Sequence, residues 1–312
     1  MTSNFVMAAG GLGNQFFQVA VAMNSSATKI EMIDVLGNVR KNYAQNADIS
    51  EFNFDLPVNW SYKPRNLPLL QKVTSLLLRQ SVNSKGILRL ILQSSISKFL
   101  IKCYYFLALN HWLNPIIATD NGYFDFKFRP QGNLFIGYFQ SNFWIFQDST
   151  LERLRKIELK NNAEIAALLN QKKSVTALCV HIRLGDYRKE ANFGILSSKY
   201  YEESLENILT ATNFDEIWLF SDEPLSAIEK IPEKFRKIVW VVPNLSAAQT
   251  LELMRHGSSY IIANSSFSWW GAMLSKCSNP TIVAPDKWFK NLDDPALLIP
   301  QSWIRSKSHF EP

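Results

Sequence analysis

From residue 175 onward, apolar runs of strand length alternate with stretches of helical spacing, and this alternation confines the second half of the chain to one fold class. The runs fall at 175–182, 216–221, 237–242, 259–263 and 281–284. Residues near 198–210, 224–230, 246–255 and 266–276 carry the helical patterns between them. Strands and helices in this order form a parallel sheet covered on both faces. The first half is less regular. Phe5 to Ala8 reads as a strand, Gly10-Gly11-Leu12-Gly13 as a turn and Asn14 to Met23 as a helix. Residues 24–55 show mixed patterns, Leu134 to Tyr138 reads as a strand, and a helix is expected from Leu151 to about Leu169. A length of 312 residues suits two domains. The polar run NQKKS puts their boundary near 160–172, giving domains over 1–165 and 166–312.

Apolar residues make up 47% of the chain, enough to fill two cores and to exclude a disordered protein. Cys103, Cys179 and Cys277 are odd in number and far apart, so neither a disulfide framework nor a zinc spacing can be drawn, and a reducing compartment is expected. The start, MTSNFVMAAGG, does not read as a secretory signal, and no window holds about 18 consecutive apolar residues. The net charge of +6 is unevenly placed. Between Asp55 and Asp120 there is no acidic residue, while Lys63, Arg65, Lys72, Arg79, Lys85, Arg89, Lys98 and Lys102 fall there. Apolar residues recur at three and four from Leu69 to Leu109, so this stretch reads as two or three basic amphipathic helices.

Four passages carry candidate chemistry. In Gly10-Gly11-Leu12-Gly13-Asn14-Gln15, glycines between a strand and a helix let backbone amides approach an anion. A tight turn with Asn14 as helix cap explains the same residues. In His181-Ile182-Arg183-Leu184-Gly185-Asp186-Tyr187, a strand ends in polar groups, where an open parallel sheet meets its ligands. Arg183 suits a diphosphate, and Asp186 a proton or a sugar hydroxyl. A core histidine at 181 and a structural Arg183–Asp186 ion pair are the alternatives. Ser221-Asp222 ends another strand, where a carboxylate suits a guanine edge or ribose, or simply caps the next helix. Finally, Asn264-Ser265-Ser266-Phe267-Ser268-Trp269-Trp270 opens a helix with the small polar groups of a phosphate cradle, or with a serine cap on a core helix. The last three passages should converge on one crevice. There is no DxD and no metal-ligand spacing, so a metal-free diphosphate site is expected.

Together, GGLGNQFFQVA, HIRLGDY, the SDE beginning at Ser221 and ANSSFSWWGAML resemble the bacterial α-1,2-fucosyltransferases, glycosyltransferase family eleven. The motifs span Gly10 to Leu274, in order. HIRLGDY departs from the commoner HxRRGDY, with Leu184 where a second arginine is usual, and SDE varies the usual SDD but keeps Asp222. The resemblance implies an α/β, GT-B-like fold: two Rossmann-like domains facing across a cleft, with the basic helices as an insertion in the first. It implies GDP-β-L-fucose as donor, a terminal β-galactoside as acceptor, inversion at the anomeric carbon, and neither metal nor other cofactor. Arg183 would grip the departing diphosphate, helped by Ser265 and Ser266. Asp186, then Glu190, would serve as base. Ser221, Asp222 and His181 would recognise guanosine, Asn264 and Phe267 would complete the donor site, and Gly11, Gly13 and Asn14 would line the cleft near fucose and acceptor. Because animal enzymes of this chemistry normally carry a membrane anchor, a bacterial, cytoplasmic protein is expected.

Residues 63–102 could rest against anionic lipid, each Lys or Arg adding about 1 kcal/mol, and so hold the protein peripherally at the inner membrane near a lipid-linked glycan. A solvated basic face over ordinary core explains them as well. Nucleic acid is a poorer partner, since aromatic residues cluster there only at Tyr104, Tyr105 and Phe106. The rival functions are a fucosyltransferase of other linkage or other GDP-sugar donor, a non-catalytic glycan- or nucleotide-binding protein, and a membrane adaptor.

Overall fold

A computed structural model of the protein describes residues 3–24, 27–34, 48–61, 115–117, 134–147 and 149–312. The basic stretch at 63–102 lies outside the described residues. The chain divides into two compact units, one of residues up to 150 without 51–53, the other of 51–53 with 151–312. The expected boundary between 165 and 166 falls inside a helix of the second unit, Ala163–Gln171.

The strands are β1 (Ser3–Ala8), β2 (Lys29–Asp34), β3 (Phe52–Asn53), β4 (Val58–Ser61), β5 (Pro115–Ile117), β6 (Leu134–Ile136) and β7 (Glu158–Leu159). They continue with β8 (Ala177–Ile182), β9 (Glu216–Ser221), β10 (Val239–Val241), β11 (Ser259–Ile261), β12 (Thr281–Pro285) and β13 (Ile304–Ser306). The helices of eight residues or more among the described residues are α1 (Leu12–Met23), α2 (Ala163–Gln171), α3 (Ser198–Leu209), α4 (Ala247–Met254) and α5 (Ser266–Met273).

In the first unit, five parallel strands run in the order β4-β2-β1-β6-β5. The sequence KIEMID makes β2 a strand because Ile30, Met32 and Ile33 all find buried places along β1, opposite Asn4, Val6 and Met7. Helix α1 is apolar around most of its girth and is almost wholly buried. Its buried glutamines are not wasted in that setting, because they tie down the turn that precedes it. Gln15 donates to the Gly10 carbonyl at 3.2 Å, and Gln18 donates to those of Ala9 at 3.3 Å and Gly137 at 2.9 Å.

In the second unit, six parallel strands run in the order β10-β9-β8-β11-β12-β13. Numbered within the sheet this is 3-2-1-4-5-6, so the strand order reverses between β8 and β11. Such a switch point opens a crevice at the carboxyl ends of the strands. The core beneath it gathers Leu178, Val180, Ile182, Ile217, Leu219 and Ile261 with the inward face of α3. Two buried tyrosines of α3 satisfy their hydroxyls on backbone, Tyr200 on Ile262 at 2.7 Å and Tyr201 on His181 at 3.2 Å.

The helix expected from Leu151 to Leu169 is interrupted. Helix Thr150–Arg155 gives way to β7, which pairs antiparallel with β3, and α2 starts only at Ala163. Ile157 and Leu159 are buried, and the polar Lys160-Asn161-Asn162 turns the chain before α2. A buried ionic cluster anchors this detour. Arg255, the C-cap of α4, pairs with Glu252 and donates to the carbonyls of Arg155 at 2.8 Å, Ile157 at 3.2 Å and Leu274 at 3.2 Å. Lys276 meets the other oxygen of Glu252 at 2.7 Å and His256 approaches it at 3.4 Å. Burial would raise the Glu252 carboxyl, but His256, Arg255 and Lys276 outweigh it and hold the group down at about 2.

Candidate active site

The three late passages meet at the switch point of the second sheet. Strand β8 is buried along its length and releases the chain at Arg183, whose side chain is 31% exposed. The next side chain, Leu184, turns back into the core and is fully buried. Its backbone N–H donates to Asp222 Oδ1, beyond the end of neighbouring β9, at 3.1 Å. Gly185 makes that approach possible. A Cβ there would lie 2.5 Å from Asp222 Oδ2. We therefore expect Gly185→Ala to push the Asp222 carboxylate off the Leu184 N–H and cost about 0.5–1.5 kcal/mol of stability, read from the urea midpoint.

Arg183 is framed by anions and by a ring. Its Nε and Nη2 reach Asp186 Oδ1 at 2.9 and 2.8 Å, and its Nη1 faces Asp222 Oδ2 at 3.4 Å. Its guanidinium carbon stands 5.7 Å from the centre of the Tyr187 ring. Burial alone would lower the Arg183 pKa, but the hydrogen bond to Asp186 and the charges of Asp222 and Asp186 raise it, so the group stays a cation. Tyr187 in turn donates its hydroxyl to the Asn264 carbonyl at 2.9 Å, joining the loop after β8 to the loop after β11.

His181 is buried, and its ring centre lies 5.9 Å from that of Phe267. Nδ1 has no hydrogen-bond partner, unlike the backbone-bonded core histidine offered as an alternative. Burial first, then the charge on Arg183, pushes its pKa down to about 3, so the ring is neutral at ordinary pH. Ser221 accepts from the Glu223 N–H at 3.0 Å, and neither it nor Asp222 caps the helix that begins at Pro224. Ser265 holds the N-cap position of α5 but makes no side-chain cap bond. Ser266 and Phe267 are half-buried on the first turn of α5. The Asn264 amide nitrogen donates to the carbonyls of Phe193 at 3.0 Å, Trp288 at 3.1 Å and Gly194 at 3.2 Å, bracing the loops around it. Glu190 is exposed at the end of the turn that starts at Asp186.

Sequence reasoning assigned no role to Tyr187, nor to the Arg188–Glu223 pair at 2.8 Å that spans the loops after β8 and β9. Their partners come from other strands, and only Tyr187's place directly after Asp186 hinted at a role.

The first unit shows its own cluster at the ends of β1 and β6. Gly10 has φ +75, and a Cβ there would collide with the Asn14 amide. Asn14 does not cap α1, whose N-cap is the exposed Gly11; its Oδ1 accepts from Gln140, while Gly13 is buried in the first turn. Phe139, just before Gln140, is held at φ 54, a strained setting for an aromatic residue. Among the described residues no group of three His, Cys, Asp or Glu side chains is placed to hold a metal ion, and no helix is long and apolar enough to cross a membrane.

A family model described as Glycosyl transferase family 11 matches residues 4–294. The chain is similar to an α-1,2-colitosyltransferase of Escherichia coli, 29% identical over 183 residues that cover 55% of this chain and 61% of that protein. It is also similar to the O-antigen biosynthesis glycosyltransferase WbnK of Escherichia coli, 26% identical over 310 residues covering 95% and 97% of the two chains. In fold it resembles the NodZ α-1,6-fucosyltransferase soaked with GDP-fucose, with a TM-score of 0.52, 14% identity and coverage of 94% of this chain and all of that one.

Proposed function

Because the chain belongs to glycosyl transferase family 11, we propose that it is an inverting galactoside α-1,2-fucosyltransferase, moving L-fucose from GDP-β-L-fucose to the 2-hydroxyl of a terminal β-galactoside. A surface glycan of the O-antigen kind is the acceptor that the name of its relative WbnK suggests. The observation that carries the reading is the Arg183 cation at the carboxyl end of β8, beside the switch point of the sheet.

On this reading the acceptor oxygen attacks the anomeric carbon as the bond to the β-phosphate breaks, and GDP leaves. Negative charge grows on the departing oxygen, and a fixed cation beside it lowers the barrier. Arg183 takes that part, with Ser265, Ser266 and the start of α5 around the phosphates. Asp186 takes the proton of the attacking hydroxyl, with Glu190 as second candidate. Asp222, Ser221 and the neutral His181 face guanosine, with Phe267 and Asn264 shaping the pocket wall. Gly11, Gly13 and Asn14 contribute from the first unit, which would face the second across a GT-B cleft. The first unit then holds the acceptor and the second the donor. Residues 63–102 would rest on anionic lipid at the cytoplasmic face of the inner membrane.

Incubating the protein with GDP-fucose and a panel of β-galactosides, then assigning the product by NMR, should reveal an α-1,2 linkage. Transfer should continue undiminished in EDTA, because a guanidinium neutralises the leaving group. Another linkage, or a loss of activity restored by Mn²⁺, would refute the corresponding part. A second donor belongs in the panel because one relative is a colitosyltransferase. Turnover of a colitosyl nucleotide but not of GDP-fucose would move the assignment to that sugar.

A further inference from the structure

The two carboxylates on Arg183 are not held alike, and the difference bears on the order of events in the reaction proposed above, on which this inference rests. Asp222 is 25% exposed, with Oδ1 taking the Leu184 N–H and Oδ2 lying over Gly185. Asp186 is 63% exposed, and the side-chain bonds it makes go to Arg183 alone. Arg183 itself is steadied by the ring of Tyr187, which is pinned to Asn264. One counter-ion is thus fixed and the other is loose, while each nitrogen of the guanidinium already faces a carboxylate.

We propose that the donor diphosphate displaces Asp186 from Arg183, so that Asp186 is the exchangeable counter-ion of the free protein and becomes available to the acceptor only when the donor is seated. A diphosphate carries more charge than one carboxylate and fits the planar fork of arginine through two parallel hydrogen bonds. It therefore wins the Nε–Nη2 edge, while Asp222 keeps the opposite nitrogen in register. Parted from Arg183, the exposed carboxylate of Asp186 is free to turn towards the attacking hydroxyl. The exchange thus frees the base at the moment the donor arrives, and donor binding precedes productive acceptor binding.

The test is the affinity of the full chain for GDP, measured by calorimetry. Asp186→Asn removes the competing charge and should tighten GDP binding about tenfold while slowing transfer with GDP-fucose. Asp186→Ser should behave alike, which guards against an effect peculiar to the amide. Glu223→Gln removes a neighbouring charge that pairs with Arg188 instead, and should change affinity less than about threefold. Unchanged or weaker binding in both Asp186 variants would overturn the exchange, as would an equal gain in Glu223→Gln. If the unaltered protein binds no GDP, the nucleotide-sugar reading fails and the exchange falls with it. If it binds and transfers but Asp186→Asn gains nothing, only the exchange is lost.

Discussion

Arg183→Ala should lower turnover by about 10²–10³ or more, the usual loss when a preorganised donor to a developing anion is removed. The fold should survive, because the guanidinium is part-exposed and its nearest partner, Asp186, lies mostly in solvent. Arg183→Lys keeps the charge but loses the two-pronged geometry, so it should recover only a fraction of the rate. Steady-state kinetics with GDP-fucose, together with the thermal midpoint by circular dichroism, separates chemistry from folding. Near-normal turnover in the alanine variant would remove Arg183 from the diphosphate.

Glu252→Ala should cost about 3–5 kcal/mol, because it strands Arg255 in the interior without its carboxylate. Urea unfolding at neutral pH measures this directly. The same carboxylate predicts an acid response. Its folded pKa of about 2 lies below its ordinary 4.5, so its contribution is complete above 4.5 and is lost as pH falls through 2. The contribution is on the order of 3 kcal/mol. His181 acts with the same sign from higher pH. It stays neutral in the fold down to about 3 but takes a proton near 6.5 when unfolded, so stability already declines below 6.5. Below 4.5 the Glu252→Ala variant should lose stability less steeply than the unaltered protein. Parallel slopes would mean that Glu252 does not hold its low pKa.

The parallel strands of the second unit were legible because a strand covered on both faces must be apolar along its length, as Leu178, Val180 and Ile182 are. Strand β13 escaped, since Ile304 and Arg305 are exposed and only Ser306 is buried. The interruption after Arg155 escaped because β7 is defined by a partner, Phe52, some hundred residues earlier. Likewise nothing in the sequence marks Glu252 and Arg255, one helical turn apart, as buried; Arg255 is held inside by the carbonyls of the returning segment at 155–157. Strand-end logic placed Arg183, Asp222 and Ser265 beyond the carboxyl ends of their strands, where the structure has them. It could not foresee that the Asn264 amide braces three carbonyls, or that Tyr187 joins two loops, since both depend on neighbours from other strands.

Leu184 sets a limit on redesign. Grafting in the arginine more usual at that position would drive a guanidinium into the apolar cluster that holds Ile182, Ile195 and Leu196. To avoid it, the loop would have to rotate, and the backbone amide that grips Asp222 would swing away. A transplant from relatives with that arginine must therefore carry the whole turn together with the strand end that holds Asp222, since the single residue would disturb the carboxylate that faces Arg183.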